Sequence, residues 1–217
     1  MRYQAYLHIR QKIVSLELPP GAVIDEAALQ QELNMGRTPI REALQRLSLE
    51  KLVNILARRG MFVTEIGITD LQRLFELRLN LESLAVELAC QRGTPEQFDE
   101  MQVVLDRLPA DSADANGEDT SLLIEIDETS HRLIYQAASN KFLEDTLSTL
   151  YALSLRLWYF ALTDVGSLPE AVAEHRSILN AMRIRDAETA SHLIKNHIRT
   201  FQDEIQNAML GEAQAAK

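Results

Sequence analysis

Apolar residues in the first part of the chain recur at helical spacing in three short stripes: Tyr6, Ile9, Ile13 and Leu16; Leu29 and Leu33; and Ile40, Leu44 and Leu47. The spacing predicts three short helices. Leu18-Pro19-Pro20-Gly21 ends the first, because prolines cannot continue a helix, and Asn34-Met35-Gly36 makes a tight break between the second and third. Asp25 suits the N-cap of the second helix, with Glu26 in its first turn, and Pro39 falls in the first turn of the third, where a missing N–H does no harm. Val53-Asn54-Ile55-Leu56 and Met61-Phe62-Val63-Thr64 are short β-favouring runs on either side of Ala57-Arg58-Arg59-Gly60, which reads as a hairpin.

From Ile68 onward the period is helical throughout, and six stretches stand out, near 68–92, 95–108, 119–139, 141–163, 168–184 and 186–209. Pro109 to Asp119 reads as a loop, and Gly211 to Lys217 as a frayed tail. The fold class expected is mainly α: an N-terminal winged helix-turn-helix over residues 1–66, followed by an all-helical bundle of about six helices over residues 67–210.

Composition narrows the function classes. A chain with 46% hydrophobic and 25% charged residues is globular and not disordered. No apolar run reaches the roughly 18 residues of a membrane span, and the start lacks a signal-peptide core, so no membrane partner and a cytoplasmic location are expected. Cys90 is a single cysteine in an apolar segment and reads as a buried, unreactive thiol. The net charge of -10 argues at first against nucleic acid. The charge is unevenly spread, however: residues 1–65 carry nine Lys and Arg against seven acids, and the remainder 13 against 25. Two parts with different partners follow from that asymmetry.

In a winged helix-turn-helix the second helix of the pair enters the major groove, and a basic wing reaches phosphate or the minor groove. Arg37 and Arg41 stand four residues apart at the start of that helix and share a face. An arginine can donate two hydrogen bonds to guanine, worth about 1–3 kcal/mol of discrimination. On spacing alone, two solvated surface charges are an equal alternative. The candidate DNA contacts are Arg37, Thr38, Arg41 and Arg46 on the helix, with Arg58, Arg59 and Gly60 at the wing.

Charged and imidazole side chains on apolar stripes carry the second set of candidates, because burying a charge without a partner is expensive. Arg78 and Glu82 fall inside the arc of Leu71, Leu74, Phe75, Leu81, Ala85, Leu88 and Ala89. Arg78 needs an anion, which either Glu82 or an exogenous carboxylate could supply. Asp127 and His131, four apart, share the face of Leu123, Ile134 and Ala138; His175 follows Val172 and precedes Leu179; His197 lies with Ala190, Ile194, Phe201 and Ile205. His192 points the other way, and His8 belongs to the first domain. One carboxylate and three neutral imidazoles suit a divalent transition ion, with zinc first and nickel or manganese as alternatives; hydrogen-bonded core histidines are the competing reading.

These residues resemble a known family. Leu16 to Val63, with Arg37-Thr38-Pro39-Ile40-Arg41-Glu42-Ala43-Leu44 and Arg59-Gly60-Met61-Phe62-Val63, looks like the DNA-binding domain of GntR-type bacterial transcription regulators. Arg78-Leu79-Asn80-Leu81-Glu82, Asp127-Glu128-Thr129-Ser130-His131, Ala137-Ala138-Ser139-Asn140, Glu174-His175 and His197 resemble the FCD effector domain of the FadR subfamily, in its shorter, VanR-like branch. The resemblance implies a homodimer that binds a palindromic operator in double-stranded DNA. It further implies control by a small organic or sugar acid, a metal held by Asp127, His131, His175 and His197, and an effector site at Arg78, Glu82 and Asn140. Gly36 departs from the serine usual before the Arg-Thr-Pro run, and Ser130 from the usual aromatic beside the metal histidine.

The function expected is that of a transcriptional regulator, a repressor in sign, and not an enzyme. Two rivals remain. A helical metallohydrolase could use the same ligands with a bound water, but no second carboxylate or histidine is evident as its general base. A metal-stabilised adaptor would need no effector.

Overall fold

The computed structural model describes residues 1–65, 67–108, 120–161 and 168–215. The chain runs α1 (Arg2–Val14), α2 (Glu26–Glu32), α3 (Arg37–Leu49), β1 (Val53–Leu56), β2 (Gly60–Val63), α4 (Ile68–Arg92), α5 (Pro95–Leu105), α6 (Thr120–Ala137), α7 (Lys141–Ala161), α8 (Leu168–Arg183) and α9 (Ala187–Ala215). The fold is mainly helical, with a two-stranded wing. Pro109 to Asp119, expected as a loop, lies outside the described residues.

The N-terminal core gathers the three predicted stripes. Ala5, Tyr6, Ile9 and Ile13 of α1, Leu29 of α2, and Ile40, Ala43, Leu44 and Leu47 of α3 are buried together with Val53 and Val63 of the wing. Asp25 caps α2 as expected, its Oδ1 accepting from the N–H groups of Ala27 (2.8 Å) and Ala28 (3.1 Å). Gly36 occupies the N-cap of α3 and has no side chain with which to cap it. One expectation fails locally. Leu16 lies beyond the end of α1, not on its stripe: the helix stops at Val14, before the prolines, and Leu16 takes a left-handed φ of 61°.

The wing is antiparallel, with Val53 opposite Val63, Asn54 opposite Phe62, Ile55 opposite Met61 and Leu56 opposite Gly60. Its tip is tight. Arg58 (φ 65°) and Gly60 (φ 105°) both adopt positive φ, a conformation open to glycine at no steric cost.

Close contacts divide the chain into two compact units, and the division is not a single cut. The first unit contains residues 1–71 together with the stretch of α7 that begins at Ala152; the second contains residues 72–151 and the chain from 163 onward. Within the first unit Leu153 packs on the N-terminal core, and the buried Arg156 guanidinium donates to the Thr64 carbonyl at 2.5 Å. The Arg156 Nε and Nη1 atoms have no hydrogen-bond partner, and burial draws this group down to about 10.

The second unit is all helix among its described residues. Within it α5 packs on α6 and α8, α6 on α8, and α8 on α9. Arginines tie the helix ends: Arg185 donates to the Cys90 (2.8 Å) and Gly93 (2.8 Å) carbonyls that close α4, and Arg176 to the Leu105 carbonyl (2.5 Å) at the end of α5. Helix α9 runs on to Ala215, through the stretch read from sequence as frayed, because Glu212, Ala213, Gln214 and Ala215 are strong helix formers.

Candidate functional site

Four buried side chains meet in the second unit. Helix α6 presents Asp127 and His131 one turn apart, α8 presents His175, and α9 presents His197. One ligating atom from each lies within 4.8 Å of all the others. The amphipathic stripes account for the meeting, since each residue sits on the arc its helix buries. Hydrophobic packing of α6, α8 and α9 therefore carries the polar groups inward.

The rings are close and ordered by contacts. His131 Nε2 and His197 Nε2 are 3.2 Å apart, His197 Nε2 is 3.7 Å from Asp127 Oδ1, and His131 Nε2 is 3.9 Å from Asp127 Oδ2. The His175 and His197 ring centroids lie 4.4 Å apart. His175 Nε2 is buried with no hydrogen-bond partner. Two imidazole nitrogens bound to one zinc ion, each at about 2.0–2.1 Å, are separated by roughly 3 Å, so the 3.2 Å spacing fits two ligands of one ion. The orphaned His175 nitrogen fits a third. The donor set, three nitrogens and one carboxylate, suits a borderline divalent cation.

Electrostatics agree with a cation-seeking site. Burial raises the Asp127 carboxyl, but His131, His175, His197 and a hydrogen bond from Tyr151 outweigh it and hold the group below the ordinary aspartate value. Burial holds the His175 imidazole down at about 3, which leaves it neutral and able to donate its lone pair. The Tyr151 hydroxyl donates to Asp127 Oδ2 at 2.5 Å.

Arg78 and Glu82 lie against this cluster. Burial works against both charges, yet each stabilises the other: Arg78 Nε donates to Glu82 Oε1 at 2.6 Å, the guanidinium is held above its usual value, and the carboxyl is held well below its own. Of the two anions open to Arg78, Glu82 is therefore in contact with it. The guanidinium also stands over the rings of Tyr151 (5.2 Å) and Phe75 (5.5 Å). Asn140, the third effector candidate, stands just before α7, where its Oδ1 accepts from the Leu143 N–H at 3.3 Å. Ser130, beside His131, is fully buried with its hydroxyl unpartnered.

Sequence reasoning missed three polar groups here. Tyr135 falls one turn after His131 and Glu174 directly precedes His175, so both were open to a closer reading of helix faces. Tyr151 reaches Asp127 from α7, and only the packing of the helices brings it there.

The candidate DNA-binding face is exposed. Arg37 and Thr38 open α3, and Arg58 and Arg59 project from the wing tip. Arg41 is engaged: its Nε and Nη2 donate to the two oxygens of Glu26 at 2.7 and 3.2 Å, while Arg37 Nε lies 3.9 Å from the same carboxylate. Glu26 is thereby held below the ordinary glutamate value, chiefly by its hydrogen bond from Arg41. Arg46 faces away from this pair; its guanidinium lies 3.8 Å from the Tyr6 ring centroid and pairs with Glu50 at 3.1 Å.

Comparison with known proteins agrees with both halves. Residues 2–63 match the family described as bacterial regulatory proteins, gntR family, and residues 73–200 match the FCD domain. The Nta operon transcriptional regulator of Aminobacter aminovorans is 31% identical over 199 residues, covering 91% of each chain. The transcriptional repressor RspR of Escherichia coli is 23% identical, covering 93% of this chain and 87% of its own. Escherichia coli McbR/YncC has the same fold, with a TM-score of 0.83 at 22% identity, over 95% of this chain and 97% of that one. These relatives are regulators of transcription and not enzymes, which removes the metallohydrolase reading, and among the described residues no helix is long and apolar enough to cross a membrane. The chain belongs to the GntR family of DNA-binding transcriptional regulators, in the FadR type that carries a C-terminal FCD effector domain.

Proposed function

We propose that this regulator is a homodimeric repressor whose grip on a palindromic operator is controlled by a small organic or sugar acid bound at a metal in the FCD domain. The observation that carries the reading is the buried convergence of Asp127, His131, His175 and His197 on one point. A dedicated core of apolar contacts would not gather four such groups, since each must be desolvated without a full set of partners. Zinc suits the donor set best, with nickel or manganese as alternatives. Asp127, His131, His175 and His197 would hold the ion, and an ion that takes more than four ligands would leave room for an oxygen of the acid. Around it the chain's own residues do the rest: Tyr151 steadies Asp127, and the Arg78 guanidinium offers positive charge to an acid.

On the DNA side, Arg37, Thr38 and Arg41 stand where the start of α3 meets base edges, and Arg58, Arg59 and Gly60 where a wing meets backbone or minor groove. Arg46, folded on Tyr6, supports α3 from behind. Two recognition helices of a dimer must lie about 34 Å apart to enter successive major grooves, and an effector need only alter that spacing to weaken binding. Coupling of about 1–3 kcal/mol, or roughly 5- to 150-fold in affinity, is typical. The repressor sign is supported by RspR, a repressor related along nearly the whole chain.

Metal analysis of the purified protein, followed by a thermal-shift screen of organic acids, tests the reading. Expected are one divalent ion per chain, an acid that raises the melting temperature in the metal-loaded protein only, and weaker operator binding with that acid present. Metal content unaffected by His131→Ala plus His175→Ala would reject the site.

A further inference from the structure

Two of the three imidazoles, His175 and His197, are each held at Nδ1 by a separate acceptor, and His131 Nδ1 has both a carboxylate and, at 3.3 Å, the Tyr135 hydroxyl beside it. Glu82 Oε2 lies 2.7 Å from His131 Nδ1, Glu174 Oε2 lies 2.7 Å from His197 Nδ1, and the Ala171 carbonyl lies 2.8 Å from His175 Nδ1. Carboxylate and carbonyl oxygens only accept, so the protons of the His175 and His197 rings belong on Nδ1. The lone pairs of these two rings are then left on Nε2, with that of His197 lying 3.2 Å from His131 Nε2 and that of His175 having no partner at all. A cation beside them would take up the lone pairs that these nitrogens offer.

We propose that Glu174 is a positioning residue for the metal: it fixes the tautomer and direction of His197, so that Nε2 is presented to the ion. The inference rests on the metal reading above and assigns a role to a residue outside the ligand set. The two carboxylates beside the imidazoles differ in a useful way. Glu82 is fully buried and divides its oxygens between Arg78 and His131, so its removal disturbs the core as well. Glu174 is a half-exposed side chain, 39% accessible, on α8, and it reaches across to His197 on α9. It adjoins the ligand His175 in sequence, so one dipeptide of α8 supplies a ligand and the support for a ligand on the neighbouring helix.

Glu174→Ala is the clean test, with Glu174→Gln as the conservative partner, since a glutamine carbonyl still accepts from Nδ1–H. Zinc affinity is read by competition with a chromophoric chelator, and the His197 tautomer by ¹⁵N NMR of the imidazole nitrogens. Losing such a partner typically weakens metal binding 10- to 100-fold. The expected result is that loss for Glu174→Ala, substantial recovery in Glu174→Gln, and a His197 signal in the wild type with the proton on Nδ1 that changes in the alanine variant. Wild-type affinity in Glu174→Ala overturns the proposal, as does weakened binding with an unchanged His197 tautomer. If the wild-type protein itself takes up no zinc, nickel or manganese, the metal reading fails, and the positioning role fails with it.

Discussion

The pair formed by Arg78 and Glu82 permits a quantitative test of how the effector domain holds charge in its core. Both side chains are almost wholly inaccessible, at 2% and 1%, and meet at 2.6 Å. Replacing Glu82 by leucine leaves the guanidinium without its carboxylate and removes the carboxylate oxygen 2.7 Å from His131 Nδ1. Breaking a buried pair on one side costs about 3–5 kcal/mol. At roughly 2–4 °C per kcal/mol for a chain of this size, the metal-free Glu82→Leu protein should melt about 6–20 °C below wild type. Arg78→Met should cost less, because Glu82 keeps the His131 ring at 2.7 Å. In the double variant, Arg78→Met with Glu82→Leu, two hydrophobic groups of similar volume replace the ions, and such exchanges are often neutral or stabilising. The double variant should therefore melt well above Glu82→Leu alone. Differential scanning calorimetry of the four chelator-treated proteins gives the cycle directly. If the two single effects simply add in the double variant, the two residues are not coupled and the ion-pair argument is wrong.

The DNA-binding face and the buried cluster yield further tests. Arg37→Ala and Arg41→Ala should erode discrimination between operator and random DNA, whereas Arg58→Ala and Arg59→Ala should weaken both alike and reduce the slope of log K against log salt by about 1 for each phosphate left unneutralised; anisotropy titrations across a salt series distinguish the two patterns. The His175 imidazole, held down at about 3, stays neutral in the folded protein while the unfolded chain protonates it below about 6.5. Metal-free protein should accordingly lose stability as pH falls from about 6.5 toward 3, because the unfolded state binds the extra proton, and urea titrations at several pH values would refute this if the imidazole contribution, taken against His175→Asn, were flat. Bound metal should dissociate as pH drops below about 6, since protons compete for the same lone pairs; metal retained at pH 4 would contradict imidazole ligation. Arg156→Met should be neutral or stabilising in thermal melts, because the variant removes a buried cation with two unpaired donors, and a large loss of stability would mean that an anion meets it in the working protein.

Much of this protein was legible in its sequence because the decisive signals are local. Ile40, Leu44 and Leu47 specify the buried face of α3, Asp25 caps α2 through groups two and three residues away, and the two β-favouring runs around Arg58 and Arg59 form the wing. Asp127 and His131 share a helix face by spacing alone, and the inward stripes of α8 and α9 carry His175 and His197. What periodicity cannot give is the azimuth and height at which separate helices meet. Only the packed fold brings four ligating atoms within 4.8 Å, sets Glu82 against both Arg78 and His131, and brings Tyr151 to Asp127. The partnership of Arg41 with Glu26 was likewise decided in three dimensions, by the approach of two helices. Sequence sets which face of each helix turns inward, because hydrophobic burial acts on every turn independently. Tertiary structure decides which polar groups on those faces become neighbours, because that depends on how the helices interlock.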